Sequence, residues 1–116
     1  TMQHVAMEGR CFVLSCNQYT TRGDFPKNYD AIQGHDSATV ISRGGSCIVN
    51  PMGQFLAGPD FNGETILTAE LDMDDITRGK YDFDVTGHYA RPDVFKLLVN
   101  EAPANAVEVV NRPLEE

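Results

Sequence analysis

Tryptophan is missing from these 116 residues, positive charge is scarce, and no run approaches the ~18 consecutive apolar residues that a membrane-spanning helix needs. Nine basic side chains stand against seventeen acidic ones, leaving a net charge of -8. Such a surface repels phosphate backbones and anionic lipid, which argues against nucleic acid and membrane partners. There is no Asn-x-Ser/Thr acceptor and no charged-then-apolar leader, and three cysteines cannot all pair. Together these absences point to a reducing, cytoplasmic setting. What is present is an ordinary apolar share, 41%, on a chain long enough for one domain with a modest core. It opens as "TMQHVAMEGR", without an initiator and already inside a helical pattern, which reads as a cut.

Met2, Val5 and Ala6 share one side of that pattern, and Gly9 is expected to close the helix. "CFVLSCN" is apolar on both alternating faces, as in a strand buried on both sides. From Thr20 to Ser37 the composition turns polar and rich in Gly, Pro, Asn and Asp, predicting a long loop of the kind that carries contacts or function. "ATVISRGGSCIVNPMGQFLAGP" reads as strand, glycine break, strand, tight turn at Pro51–Gly53, and strand, the last two forming an antiparallel hairpin. "GETILTAELD" predicts a further strand, with Ile66 and Thr68 on one face and Leu67, Ala69 and Leu71 on the other. Asp72 then caps a helix running through Lys80, acidic early and basic late, with Met73, Ile76 and Phe83 as its inward stripe. "GHYARPDVFKLLVN" follows as a turn, a Pro-started helical turn and a short extended segment, and residues 102–116 form an acidic tail.

Several residue sets invite a chemical reading. Cys11, Cys16, Cys47, His4, His35 and His88 are the available soft and borderline metal ligands. The Cys11-to-Cys16 spacing misses the two-to-four-residue step of local zinc pairs, so core cysteines are favoured and no metal is expected. Cys16 with His35 or His88 as base would make a nucleophilic pair, but only the fold can assemble one, and packing beside Leu14 and Phe12 is the favoured role. "SRGGS" lacks the lysine and spacing of a phosphate loop, so its glycines serve a bend or close approach of strands. Asp72, Asp74 and Asp75 lack calcium-loop spacing and suit a helix start. His88, Tyr89 and Arg91 form a dense polar and aromatic cluster, either a contact site or a packing corner.

Taken together, "HVAMEGRCFVLSCNQ", "SRGGSCIVNPMGQFLAGP" and "GETILTAELDMDDITRGKYDFDVTGHYARPDVF" resemble the carboxyl-terminal half of a nitrilase, in the order and spacing of that family, from about His4 to Asn100. The "GHYARPDVF" block is more similar to true nitrilases and cyanide-processing relatives than to the amidase or carbamoylase branches. The resemblance implies an α/β fold, residues 1–101 being part of a four-layer αββα sandwich. It also implies a cofactor-free hydrolase turning an organic nitrile and water into a carboxylic acid and ammonia. The chemistry it implies is a cysteine thiolate attacking the nitrile carbon, glutamates moving protons and a lysine stabilising the tetrahedral intermediate.

In the family the nucleophile sits in a Cys-Trp-Glu motif upstream of the "HVAMEGRCFV" block, and the glutamates and lysine lie upstream as well. With no tryptophan here, the resemblance assigns no catalytic residue to this chain, and neither Cys11 nor Cys16 is the nucleophile. It places Asn17, Gln18 and Tyr19 on the rim of the substrate pocket. The helix carrying His4 and Glu8 resembles the family's main dimer interface, and the loop from Thr20 to Ser37 and the tail after Asp84, with His88, Tyr89 and Arg91, resemble regions joining dimers into spiral homo-oligomers. The competing readings are an amidase or carbamoylase of the same superfamily and a truncated, non-catalytic binding module.

Overall fold

The computed structural model describes residues 1–28 and 30–107. In chain order these build α1 (Met2–Gly9), β1 (Val13–Ser15), β2 (Tyr19–Thr21), a 3-10 turn (Arg22–Asp24), β3 (Val40–Arg43), β4 (Ser46–Val49), β5 (Phe55–Asp60) and α2 (Asp74–Asp82). The result is mixed α/β, with an antiparallel three-stranded sheet ordered β1-β4-β5 and a two-stranded sheet of β2 and β3.

α1 forms where expected, but its left-handed closing residue is Arg10, at φ 45°, and Gly9 is the last helical residue. The helix lies on β1 and β4 and buries Ala6 against Cys47 and Val49, with Val13 packed beside them. Gln3 Nε2 reaches over the β4–β5 turn to the Gly53 carbonyl at 2.7 Å. That turn is knitted by the buried Asn50, whose Oδ1 accepts from the Met52 and Gln54 amides at 3.1 and 2.9 Å. An Asn side chain bonding two residues on imitates a backbone turn, so "NPMG" sets the hairpin register locally.

β1 corrects the expectation of a strand buried on both sides. Val13 pairs with Val49 and Ser15 with Cys47 on the helix-covered face, whereas Leu14, opposite Ile48, is 65% exposed. Side chains alternate across a sheet, and α1 covers only one face. Against the bare face lie Ile66 and Leu67, which with Leu14, Cys16, Cys47 and Ile48 line an apolar groove of about 300 Å³. Cys16 is exposed, not packed as expected, because it stands beyond the end of β1.

β1 and β2 prove to be two parts of one antiparallel ladder against β4 and β3. Tyr19 pairs with Arg43 and Thr20 with Ser42, the partners reached by counting on from Ser15–Cys47 without a slip. Between the two parts the ladder is broken where Cys16–Gln18 faces Gly44–Ser46, and its register slips at Thr21, which pairs with Val40. Gly44 and Gly45 sit at φ 76° and 94°, a region L-residues rarely adopt, and they turn the strand from one sheet into the other. Thus "SRGGS" does bend a strand. After β2 the long loop is organised by the buried Arg22, whose guanidinium donates to the carbonyls of Gly34, Phe25 and Pro26.

Residues 64–72 do not form the expected strand, since no ladder partner faces them among the described residues. Their alternation survives nonetheless: Leu67, Ala69 and Leu71 are half-buried, while Ile66 is 90% exposed. α2 starts two residues beyond Asp72, whose Oδ1 accepts from the Asp74 amide at 3.0 Å. Hydrogen bonding from Arg78 first, and from the Asp74 amide second, holds the Asp72 carboxyl below its ordinary value. The inward stripe is corrected too: Met73 is 61% exposed, Ile76 and Phe83 are half-buried, and the buried position is Gly79, against Arg10 and Pro51. Arg10 clasps this end of α2 through Asp82 at 2.9 Å and lies 5.8 Å from the Phe83 ring centroid. The turn at 85–89 and a helical turn after Arg91 form as expected, residues 96–107 have no regular structure, and the rest of the acidic tail lies outside the described residues.

The packing is thin. Ala6, Cys47 and Val49 are the buried apolar side chains of the described core. The radius of gyration is 23.3 Å where a compact chain of this length has about 13 Å. Its accessible surface is 9899 Å² where a compact 12.8 kDa monomer exposes roughly 6300 Å².

Candidate functional site

The break in the long ladder opens a polar cavity. Where pairing stops, backbone groups of Cys16–Gln18 and Gly44–Ser46 lose their ladder partners and side chains take over. The Asn17 amide donates to Ser46 Oγ at 3.0 Å, and the same hydroxyl donates back to the Asn17 carbonyl at 3.1 Å. Ser42 Oγ donates to the Gln18 carbonyl at 2.8 Å. Two serines therefore hold the segment that joins the sheets.

The cavity beside this segment, about 200 Å³, is lined by Asn17, Gln18 and Tyr19 together with Ser46, Asp60, Gly63, Glu64 and Thr65. The three residues singled out in the sequence do converge. The end of β5 and the loop after it add two carboxylates to the lining, Asp60 and Glu64, which sequence reasoning missed. Asp60 is the last residue of β5; its carbonyl accepts from Gly45 at 2.7 Å and its Oδ1 from the Asn62 amide at 2.8 Å. The available signal was "PDFNGE", acidic residues bracketing a turn directly after a strand.

The other candidates stand apart. His35 Nε2 lies 3.5 Å from Asp30 and lines a different cavity with Arg22 and Lys27, while His88 is tilted against Tyr89 at 4.6 Å between ring centroids. Cys16 borders the apolar groove, so no Cys–His pair is assembled with either imidazole. Cys11 is half-buried and Cys47 buried. Among the described residues no three His, Cys, Asp or Glu side chains gather as metal ligands, and no helix is long and apolar enough to cross a membrane.

His4 and Glu8 face each other one turn apart on α1 at 3.3 Å, both well exposed. Tyr89 is tilted against Phe83 at 5.6 Å, and Arg91 holds Asp93 through two bonds, which push the Asp93 carboxyl down and the Arg91 guanidinium up. Phe83 also faces Arg10, the residue that closes α1, so the "GHY" corner is linked through Phe83 to the end of α1.

Comparison with known proteins bears on what this arrangement serves. The family model for carbon–nitrogen hydrolases matches residues 1–81. A nitrilase of Bradyrhizobium diazoefficiens is 58% identical over 111 residues, covering 96% of this chain and 35% of that protein. An aliphatic nitrilase of Sinorhizobium fredii is 60% identical over 92% of this chain and 35% of its own length. An arylacetonitrilase of Trametes versicolor is 48% identical over 91% of this chain and 34% of its own. The chain thus spans about a third of the length of the curated relatives it matches.

Proposed function

Because this chain belongs to the carbon–nitrogen hydrolase family, we propose that it forms the carboxyl-terminal part of a nitrilase that converts an organic nitrile and two waters into a carboxylic acid and ammonia. The observation carrying this reading is 58% identity, sustained over 96% of the chain, to a protein that is itself a nitrilase. Similarity over so long a stretch favours the nitrilase reading over an amidase, a carbamoylase or an independent binding module. The thiolate, glutamates and lysine of the reaction belong to the part of the enzyme outside these residues. No cofactor is required by that chemistry.

On this reading the cavity at the ladder break is the chain's share of the substrate pocket, with Asn17, Gln18 and Tyr19 on its rim. The bare face of the three-stranded sheet, with Leu14 and Ile48, is where the second sheet of an αββα sandwich packs, and the excess exposed surface supports it. The exposed His4 and Glu8 on α1, and separately His88, Tyr89 and Arg91, are the homo-oligomer contacts of a spiral assembly on this reading. The free cysteines fit a reducing cytoplasm.

The test is a chimaera in which this chain replaces the matched third of the Bradyrhizobium diazoefficiens nitrilase. It is expected to release ammonia from aliphatic and aromatic nitriles, and to turn over the matching amides far more slowly. A soluble, folded chimaera that cleaves amides and leaves nitriles untouched would transfer the chain to the amidase branch.

A further inference from the structure

The cavity at the ladder break is lined by side chains that are polar but unevenly charged: Asp60 and Glu64 are acidic, and Asn17, Gln18, Tyr19, Ser46 and Thr65 are neutral. Among the described residues no lysine, arginine or histidine lines it. Resting on the reading of this cavity as the rim of a nitrile pocket, we propose that Asp60 and Glu64 make the enzyme selective by charge, admitting neutral and cationic nitriles and turning away nitriles that bear a carboxylate.

The physical basis is short-range repulsion in a partly enclosed space. Two like charges a few ångströms apart near a protein surface, where the effective dielectric is far below that of water, repel by more than thermal energy. Within a Debye length, about 8–10 Å at ordinary salt, screening removes only part of it. Asp60 is fixed in this role. Its carbonyl is tied to the Gly45 amide and its Oδ1 to the Asn62 amide, so its carboxylate cannot swing away without breaking the turn after β5. The other side chains that this chain contributes to the lining are amide, hydroxyl and phenol, which offer hydrogen bonds but no compensating charge. The same field would hurry the carboxylate product out, since the reaction creates the charge that the wall repels.

The experiment uses the chimaera and a matched pair of substrates, a neutral aliphatic nitrile and the nitrile of equal length ending in a carboxylate. The quantity read is the ratio of kcat/KM for the charged over the neutral substrate. Being internal to each protein, it is independent of how much enzyme is correctly folded. Glu64→Gln with Asp60→Asn is expected to raise this ratio about tenfold at low ionic strength, chiefly through KM for the charged substrate, and by much less in 0.5 M salt. Glu64→Lys should raise it further. Glu101→Gln, exposed and outside the cavity, changes the net charge as much as Glu64→Gln alone and should leave the ratio where it was. An unchanged ratio in active Glu64→Gln and Glu64→Lys enzymes, or an equal rise with Glu101→Gln, overturns charge selection while leaving the nitrilase reading intact. A folded chimaera without activity on either nitrile overturns both.

Discussion

Assayed by itself, this chain is expected to release no ammonia from any nitrile. The expected effect is total, because hydration of a carbon–nitrogen triple bond at neutral pH needs an activated nucleophile with a proton donor and a charge-stabilising group in reach. The thiols here are distributed elsewhere: Cys47 is packed under α1, Cys11 follows the helix end, and Cys16 borders an apolar groove. The imidazoles engage Glu8, Asp30 and Tyr89 in turn. Lone binding of a substrate at the polar cavity would accelerate nothing, since catalysis requires groups that interact more strongly with the transition state than with the substrate. Turnover by the purified chain, persisting when Cys11, Cys16 and Cys47 are all replaced by alanine, would contradict the thiol chemistry as well as the assignment of this chain to one part of an enzyme.

Gly58→Val is expected to abolish soluble, active chimaera. Gly58 lies at the first irregularity of the β4–β5 ladder, where Ser46 pairs with Asp60 and Ile48 with Ala57, so that β5 carries one residue more than β4. The extra residue is accommodated by left-handed backbone at φ 69°, a conformation costing any L-residue roughly 1–2 kcal/mol. Space is the larger obstacle. A Cβ there would overlap the Ser46 carbonyl oxygen and approach Leu67 Cδ1 to 2.9 Å and Cys47 Cα to 3.2 Å. Two of those three neighbours are backbone of the central strand and cannot rotate away. Overpacking of this kind adds about 1–3 kcal/mol even where neighbours can shift, so the total is a large share of the 5–15 kcal/mol that typically holds a domain together. Loss of soluble protein, read by size-exclusion chromatography, and loss of ammonia release should occur together. Gly34→Ala is the comparison: its φ is also positive, at 86°, but nothing lies within 4 Å of the added carbon, so only the backbone cost is felt. Wild-type yield and activity in Gly58→Val would contradict the described register.

Local chemistry made some of this fold legible and left the rest dark. α1 and the β4–β5 hairpin were readable because their determinants lie within a few residues: an apolar face on Met2, Val5 and Ala6, and a turn that Asn50 closes on itself. The break at "SRGGS" was readable for the same reason, as paired glycines announce a backbone that other residues resist. The strand expected over residues 64–72 failed although its alternation was genuine, because a ladder needs a neighbour and none of the described strands faces it. Leu14 misled in the same way: it is apolar as if buried, yet this chain supplies no layer to cover it. That β1 and β2 continue one register against β4 and β3 is a property of residues 22 to 36 positions apart, invisible to any local pattern. The candidate site divides along the same line. Asn17, Gln18 and Tyr19 were nameable from one block, whereas Asp60 and Glu64 join them only through the ladder that brings Asp60 opposite Ser46.

The central claim, that this chain shapes a nitrilase without supplying its nucleophile, is tested most directly by ammonia release from the chimaera bearing Cys11→Ala, Cys16→Ala and Cys47→Ala together. Cys11 and Cys16 should be dispensable, and Cys47→Ala should cost only the packing of one small buried side chain, lowering thermal stability by about 1–2 kcal/mol. Turnover per folded enzyme is expected to stay within a few-fold of the unmodified chimaera. Replacing the single cysteine of the Cys-Trp-Glu motif in the other part of the molecule should instead remove it altogether. If the folded triple variant is inactive while the Cys-Trp-Glu variant still hydrolyses nitriles, the nucleophile lies in this chain and the account is wrong.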